Sequence, residues 1–258
     1  MDLRHRSAVI TGAGSGLGRD TALAFARANT RLALLDRDGA AAKATAVAAE
    51  SAGAAVAVGI EADVANEASV AAAMRDVDAA CEGIVHICVN AAGVATAGKT
   101  IQNDAALSLE RFRAVIEVNL VGAFDVMRQC VLRMIKNDPD NDGERGVVIN
   151  VGSAAAWQGQ TGQAAYSASK AGLIGLGLPV ARDLAPHGIR VVAIAPGLFD
   201  TAIAAGLPQK VRAGLERMTL NPPRLGRPEE FAELACHVVS NGYLNATTLS
   251  LDGGMRMV

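Results

Sequence analysis

Short apolar runs alternate with longer alanine-rich segments along the whole chain. Near-continuous apolar strands are typical of a parallel sheet that is covered on both faces. The predicted strands are 7–11, 31–36, 55–60, 84–90, 146–151, 189–195 and 247–251. The predicted helices are 16–28, 39–51, 67–81, 108–136, 165–184 and 228–240. Because crossovers between parallel strands are right-handed, this order predicts an α/β Rossmann fold with a doubly wound, parallel seven-stranded sheet.

The domain organisation predicted from this order is simple. We find no linker long enough to divide the chain, so residues 1–258 are interpreted as a single domain. The polar stretch 137–145 is predicted to be a surface loop before the fifth strand. The segment at about 200–223 is rich in small residues and prolines, and we predict that it forms a flap over a substrate.

Composition and charge exclude several classes of function. Apolar residues make up 51% of the 258 residues, which is ample for a large core, and the net charge of −2 favours neither nucleic acid nor an anionic membrane as partner. No apolar run approaches ~20 residues, so no transmembrane span is expected. The first strand starts almost at the initiator methionine, which predicts a cytoplasmic protein without a signal peptide. The four cysteines and four histidines lack metal-ligand spacing, so we predict no metal site.

A glycine-rich turn follows the first predicted strand. Residues 11–18 read Thr-Gly-Ala-Gly-Ser-Gly-Leu-Gly and lead into the first predicted helix. Glycines allow a sharp turn and let a pyrophosphate approach bare amides at the helix N-terminus. The alternative is a tight turn without a ligand, and the position between strand and helix favours a nucleotide site.

Asp36 ends the second predicted strand, about twenty residues beyond the glycines. Its carboxylate could accept hydrogen bonds from both ribose hydroxyls of an adenosine, and it would repel a 2′-phosphate. We therefore predict NAD as the cofactor, although Asp36 could also be a solvated turn residue and Arg37 could attract a phosphate. Asp63 and Val64 follow the third strand at the same edge and could contact the adenine, although Asp63 is also a candidate helix N-cap.

Tyr166 and Lys170 lie four positions apart, which places both side chains on one face of a helix. A phenol with a pKa of about 10 carries protons poorly at neutral pH, and a neighbouring cation would lower that pKa. A lowering of about three pKa units needs roughly 4 kcal/mol of differential stabilisation. The pair therefore predicts an acid–base tyrosine, although such spacing also arises by chance.

Four motifs occur in a fixed order: the glycine-rich turn, Asn90-Ala91-Ala92-Gly93, a serine after the fifth strand, and Tyr166-x-x-x-Lys170. This combination resembles the short-chain dehydrogenase/reductase family over essentially the whole chain. The resemblance implies catalytic roles for Asn119, Ser153, Tyr166 and Lys170. It implies a cofactor site built from Gly12, Ser15, Leu17, Asp36, Asp63, Val64, Asn90, Ala91, Tyr166, Lys170, Pro196, Phe199 and Thr201.

The resemblance also implies roles in the oxidation of a secondary alcohol. Tyr166 as phenolate would take the hydroxyl proton, Ser153 would hydrogen-bond the same oxygen, and Lys170 would lower the pKa of Tyr166. Asn119 would hold a water that links Lys170 to solvent. Trp157 would line the substrate cleft, although a buried core tryptophan is nearly as consistent with the sequence.

Further segments, including Asp138-Pro139-Asp140 and residues 159–166, 179–186, 194–199 and 224–226, are similar to the type II 3-hydroxyacyl-CoA dehydrogenases. That likeness implies an NAD-dependent enzyme of fatty acid metabolism, with an acyl-CoA thioester as substrate. It also implies a homotetramer, assembled through helix 165–184 and the C-terminal strand. The alternatives are a 3-oxoacyl-acyl-carrier-protein reductase, a steroid or small-alcohol dehydrogenase and, in another class, a non-catalytic NAD-binding regulator. Asp36 argues against the first, and the intact catalytic set argues against the last.

Overall fold

In a computed structural model of the protein, which describes residues 1–201 and 209–256, seven parallel strands form one sheet. The strands are β1 (Ser7–Thr11), β2 (Arg31–Asp36), β3 (Val56–Glu61), β4 (Ile87–Asn90), β7 (Gly146–Val151), β8 (Ile189–Pro196) and β9 (Thr247–Leu251). Their order in space is β3-β2-β1-β4-β7-β8-β9. A separate antiparallel hairpin comprises β5 (Ile101–Gln102) and β6 (Ala105–Ala106). The predicted doubly wound seven-stranded sheet is confirmed.

Helices cover both faces of the sheet. They are α1 (Gly16–Ala26), α2 (Gly39–Ser51), α3 (Glu67–Cys81), α4 (Leu109–Ile116), α5 (Ala123–Met134), α6 (Ala164–Gly175), α7 (Gly177–Leu184), α8 (Gln209–Glu216) and α9 (Pro228–Ser240). On one face, Phe25 of α1 and Phe231 of α9 are fully buried in the first core cluster. On the other, Met74 of α3 and Met134 of α5 belong to the second. None of these helices, in the part of the chain that the structure describes, is long and apolar enough to cross a membrane.

Two predicted helices are wrong in detail, because each is interrupted. The helix predicted at 108–136 contains a π-helical turn, Glu117–Gly122, between α4 and α5. The helix predicted at 165–184 is divided at Leu176 into α6 and α7. Pro179 lies one turn after that division, and it has no N–H to donate to the carbonyl of Gly175. Asn119, within the π-helical turn, and Pro179 were both evident in the sequence. The exact place at which each helix is interrupted was not.

The predicted strand ends differ from the observed ones by a few residues. The largest difference is at β4, which was predicted from residue 84 and begins at Ile87. Ile84 instead belongs to the turn after α3, since its N–H donates to the carbonyl of Cys81 at 3.0 Å and its side chain is 43% exposed. An apolar residue in a turn is indistinguishable from a strand residue when only the pattern is read.

Candidate active site

A cleft of about 560 Å³ opens at the carboxyl ends of the parallel strands. Ligands of doubly wound sheets bind at this edge, and the volume lies in the range typical of small-molecule and cofactor sites. Thirteen of the predicted site residues line the cleft: Gly12, Ser15, Leu17, Asp36, Asp63, Val64, Ala91, Ser153, Tyr166, Lys170, Pro196, Phe199 and Thr201. Asn90 and Asn119 are not among the described residues that line it.

The glycine-rich turn has the shape that a pyrophosphate site needs. Gly12 has a φ of +64°, and a Cβ built there would lie 2.8 Å from the backbone N of Ala92. By contrast, a Cβ at Gly16 would meet nothing closer than the methyl of Thr201, 3.5 Å away across the cleft. Gly12 thus allows close packing against the segment after β4, and Gly16 leaves the N-terminus of α1 open to a ligand.

The Asp36 carboxylate is held in place by two backbone amides. Gly14 N donates to Oδ2 at 2.8 Å, and Asp38 N donates to Oδ1 at 2.9 Å. A Cβ at Gly14 would lie 2.9 Å from Oδ2, so a side chain there would displace the carboxylate. Each oxygen keeps a further lone pair for a hydroxyl group, and the residue lines the cleft. The geometry fits the adenosine ribose of a nicotinamide dinucleotide.

Asp63 is not the helix N-cap that its position allowed. That role belongs to Asn66, whose side chain accepts from Ser69 N at 3.0 Å. The Asp63 carboxylate accepts from Ala65 N at 3.0 Å, and the residue lines the cleft together with Val64.

Ser153 and Tyr166 both line the cleft, and their hydroxyl groups influence each other. Ser153 directly follows Gly152 after β7 in an extended conformation, and its Oγ also accepts from Ala155 N at 3.1 Å. Burial raises the pKa of Tyr166 above its ordinary value, and the hydrogen bond with Ser153 acts in the opposite direction. A phenol and a hydroxyl group in one cleft can both hydrogen-bond an oxygen that binds between them, and the phenol can transfer a proton to or from it.

Lys170 is placed differently from the prediction. Its Nζ donates to the carbonyl of Val151 at 2.7 Å and lies 5.8 Å from the centroid of the Tyr166 ring, over the ring. The side chain is buried, which lowers the pKa of Lys170 to about 8. The expected lowering of the Tyr166 pKa by Lys170 is therefore corrected, because the contribution that lowers this pKa comes from Ser153. The sequence spacing placed the two side chains on one face but did not show which acceptor the ammonium selects.

Asn119 lies behind the cleft, within the π-helical turn. Its Oδ1 accepts from Val94 N at 2.8 Å, and its Nδ2 donates to Val94 O at 2.9 Å and to Ser169 Oγ at 3.0 Å. Ser169 Oγ in turn donates to the carbonyl of Tyr166 at 2.7 Å. Asn119 thus joins the segment after β4 to α6, the helix that carries Tyr166 and Lys170.

Asn90 is also buried, and its Nδ2 donates to Asn150 Oδ1 at 2.9 Å. The cofactor segment that it begins is anchored by Thr11, whose Oγ1 accepts from the amides of Ala91 and Ala92, both at 3.1 Å. Neither Thr11 nor Asn150 was predicted as a site residue. The only signal for Thr11 was its position at the head of the glycine-rich turn.

Similarity to known proteins agrees with this geometry. A family model described as short chain dehydrogenase matches residues 6–212. The chain belongs to the short-chain dehydrogenase family. It is 45% identical to "3-hydroxyacyl-CoA dehydrogenase type-2" of Bos taurus over 97% of this chain and 95% of the relative. It is 32% identical to "(3R)-3-hydroxyacyl-CoA dehydrogenase" of Homo sapiens, over 99% and 97%. A crystal structure of 3-hydroxyacyl-CoA dehydrogenase type-2 from Mycobacterium avium matches with a TM-score of 0.91 at 31% identity, covering 98% of this chain and 96% of that one.

As a short-chain dehydrogenase with a Rossmann fold, the protein is an oxidoreductase that uses a nicotinamide cofactor. The cofactor, when bound, accepts or supplies the hydride. Among the residues that the structure describes, no group of three or more His, Cys, Asp or Glu side chains could hold a metal ion.

The substrate side of this dehydrogenase cleft includes two residues that the sequence did not suggest. Leu215 of α8 and Leu225 line it beside Phe199. The flap predicted at about 200–223 falls partly on residues 202–208, which lie outside the described residues. Trp157 is 50% exposed, so the core interpretation is wrong. It lies outside the set of described residues that line the cleft, and its role at the substrate stays a prediction.

Proposed function

We propose that this dehydrogenase uses NAD to oxidise the 3-hydroxyl group of 3-hydroxyacyl-CoA thioesters. The observation that carries the proposal is that Ser153, Tyr166 and Lys170 line the same cleft as the anchored Asp36 carboxylate. The names of the relatives supply the substrate class, since several curated proteins that match nearly the full length are 3-hydroxyacyl-CoA dehydrogenases.

The preference for NAD rests on Asp36. Because Gly14 N and Asp38 N fix the carboxylate, it is unable to turn away from a 2′-phosphate without losing two hydrogen bonds. Two like charges in such close contact disfavour the complex by several kcal/mol. Replacement of Asp36 by alanine removes this repulsion and is tested in the Discussion.

Proton transfer is assigned to Tyr166. The substrate hydroxyl binds between Tyr166 Oη and Ser153 Oγ, and Tyr166 in its phenolate form takes the hydroxyl proton as the hydride leaves. In the reverse reaction the neutral phenol donates that proton to the ketone oxygen. Ser153 fixes the position of the oxygen and stabilises the charge that develops on it. Lys170 supplies a buried positive charge beside the phenol, and Asn119 acts through Ser169 to hold α6 in position.

A homotetramer in the cytoplasm is also part of the proposal. Exposed apolar side chains on α5, α7 and the π-helical turn support a subunit interface: Val121, Phe124 and Leu178 are 43–47% exposed. A Cβ built at Gly175 or Gly177 would meet no described atom within 4 Å, so a partner helix could approach there. The C-terminal segment gives less support to a subunit interface, because Met255 is already fully buried within its own chain. Sedimentation as a monomer at micromolar concentration would refute the tetramer.

An initial-rate screen tests the proposed reaction. The substrates are (3S)- and (3R)-3-hydroxybutyryl-CoA, a longer-chain 3-hydroxyacyl-CoA, free secondary alcohols and hydroxysteroids, each with NAD and with NADP. We expect the highest kcat/KM with a CoA thioester and NAD, and a kcat for it that is about 10²–10⁴-fold lower in Tyr166→Phe. A higher kcat/KM for a steroid or a free alcohol would reject the thioester as substrate, and activity only with NADP would reject the cofactor.

A further inference from the structure

The C-terminal turn, defined as residues 251–255, begins at the last residue of β9 and packs against two segments that lead into the cleft. One is the segment that begins with Pro196, which lines the cleft after β8. Gly197 N donates to Leu251 O at 3.0 Å, and a Cβ at Gly197 would lie 2.8 Å from the Cβ of Asp252. Met255 is fully buried beneath this contact. The turn is therefore packed firmly against the segment between β8 and the flap.

The second segment is the C-terminal end of the flap, residues 219–221, which we call the return end. The carbonyl of Gly253 accepts from both Leu220 N and Asn221 N, each at 3.1 Å. Gly253 has a φ of +59°, and a Cβ built on it would lie 2.5 Å from Cγ2 of Thr219, which is itself buried. No side chain can be added at Gly253 without moving the flap end or the turn.

The flap end contacted in this way leads directly to residues of the cleft. Leu215 precedes it in α8, Leu225 follows it, and both line the cleft. The other end of the flap is held separately, since Asp200 N donates to Gly226 O at 2.8 Å and Gly226 N donates to Leu198 O at 2.9 Å. The position of Leu215 over the cleft thus depends on two anchors, one of which is Gly253.

We propose that Gly253 is a positioning residue that determines how the substrate binds, because the C-terminal turn fixes the return end of the flap relative to the segment after Pro196. The proposal rests on the proposed function, in that it places the acyl substrate beneath Leu215 and Leu225. It requires the dinucleotide end of the cleft, which includes Asp36, to be independent of the turn.

Gly253→Ala tests the proposal, with Gly83→Ala as the matched control. Gly83 also has a positive φ, +72°, but a Cβ there would meet no described atom within 4 Å. Both variants therefore have the same backbone strain, and only one has the clash with the flap. We expect Gly253→Ala to raise the KM for 3-hydroxybutyryl-CoA roughly ten- to hundredfold, as a misplaced positioning element does. NADH affinity should stay within about twofold of the wild-type value, far below a tenfold change.

The double variant Gly253→Ala/Thr219→Ser provides the decisive comparison, because serine lacks the Cγ2 methyl that the new Cβ would strike. A KM of the double variant that returns most of the way to the wild-type value supports the proposal. An unchanged KM in Gly253→Ala, an equal change in Gly83→Ala, or no rescue by Thr219→Ser overturns it. If Gly253→Ala does not fold, Asp252→Ala replaces it, because it removes the acceptor of the 2.9 Å hydrogen bond from Gly254 N that holds the turn. For Asp252→Ala, a raised KM with unchanged NADH affinity supports the proposal, and an unchanged KM overturns it; Asp2→Ala, at an exposed position, is the control.

Limited proteolysis separates this inference from the proposed reaction. Arg217 is exposed just before the anchored end of the flap, so tryptic cleavage after it reports the release of that end. Gly253→Ala should be cleaved several-fold faster than wild type and Gly83→Ala at the wild-type rate. Equal cleavage rates in all three proteins would overturn the inference even if thioester oxidation is confirmed. Faster cleavage in a protein that oxidises no thioester would refute the proposed substrate and leave the anchor supported.

Discussion

Replacement of Lys170 by methionine should reveal the energetic consequence of burying a catalytic ammonium. Lys170 is 4% exposed, and burial lowers its pKa from 10.5 to about 8. At 1.36 kcal/mol per pKa unit, this difference is about 3 kcal/mol. Below pH 8 the lysine is charged in both the folded and the unfolded chain, so the folded protein bears the whole penalty. Between pH 8 and 10.5 only the unfolded chain keeps the proton, so the stability of the wild type rises with pH.

The variant has no such group, so the difference in stability between the two proteins should depend on pH. At pH 7 the variant does not bear the desolvation penalty of the ammonium. It also lacks the hydrogen bond to Val151 O, which contributes about 1.5–3 kcal/mol because its donor is charged. The two proteins should therefore be similar in stability at pH 7. By pH 10 the wild type should have gained about 2–3 kcal/mol relative to the variant.

Urea unfolding at a fixed protein concentration, at pH 7, 8, 9 and 10, measures this difference. Lys43→Met, at an exposed lysine, is the control and should show no such trend. The variant should also lose thioester oxidation. A stability difference between wild type and Lys170→Met that is flat from pH 7 to 10 would contradict the buried, desolvated state of the ammonium.

Two further substitutions test the supports of the cleft. Asp36→Ala should lower the preference for NAD, measured as kcat/KM with NAD divided by kcat/KM with NADP, by about ten- to a hundredfold. The reason is that one like-charge contact costs about 1–3 kcal/mol. An unchanged ratio in initial-rate assays would show that Asp36 does not contact the ribose. Asn119→Ala leaves the amide and carbonyl of Val94 without their partner. It should lower the free energy of unfolding by about 1–3 kcal/mol and reduce kcat more than it raises KM; urea unfolding and steady-state rates measure both, and a variant of unchanged stability would contradict the role of this amide.

The fold was predictable from the sequence because each strand is a short apolar run with a helix before the next one. Such a pattern fixes a parallel sheet, and the right-handed crossover rule fixes the winding. The same pattern could not locate the π-helical turn, because the hydrogen bonds of Asn119 in that turn are with Val94, a residue far away in the chain. Local spacing contains no information about such a contact.

The candidate site was predictable where backbone shape or chain order determines it, as at Gly12 and Asp36. It was not predictable where the choice of partner determines the chemistry. The spacing of Tyr166 and Lys170 suggested that the ammonium acts on the phenol, whereas the ammonium donates to Val151 O and burial raises the Tyr166 pKa. Leu215 was missed for a similar reason, since an apolar residue in a helix has no signal that distinguishes a cleft from a core.

The central claim is that Tyr166 transfers the proton while the cofactor takes the hydride. Tyr166→Phe keeps the ring and removes the hydroxyl, so the most direct measurement is its kcat with a 3-hydroxyacyl-CoA and NAD, beside its NADH affinity by fluorescence titration. Loss of a general acid–base group should lower kcat by about 10²–10⁴-fold and leave NADH affinity within a few-fold of wild type. A Tyr166→Phe enzyme that turns over at near the wild-type rate would contradict the account.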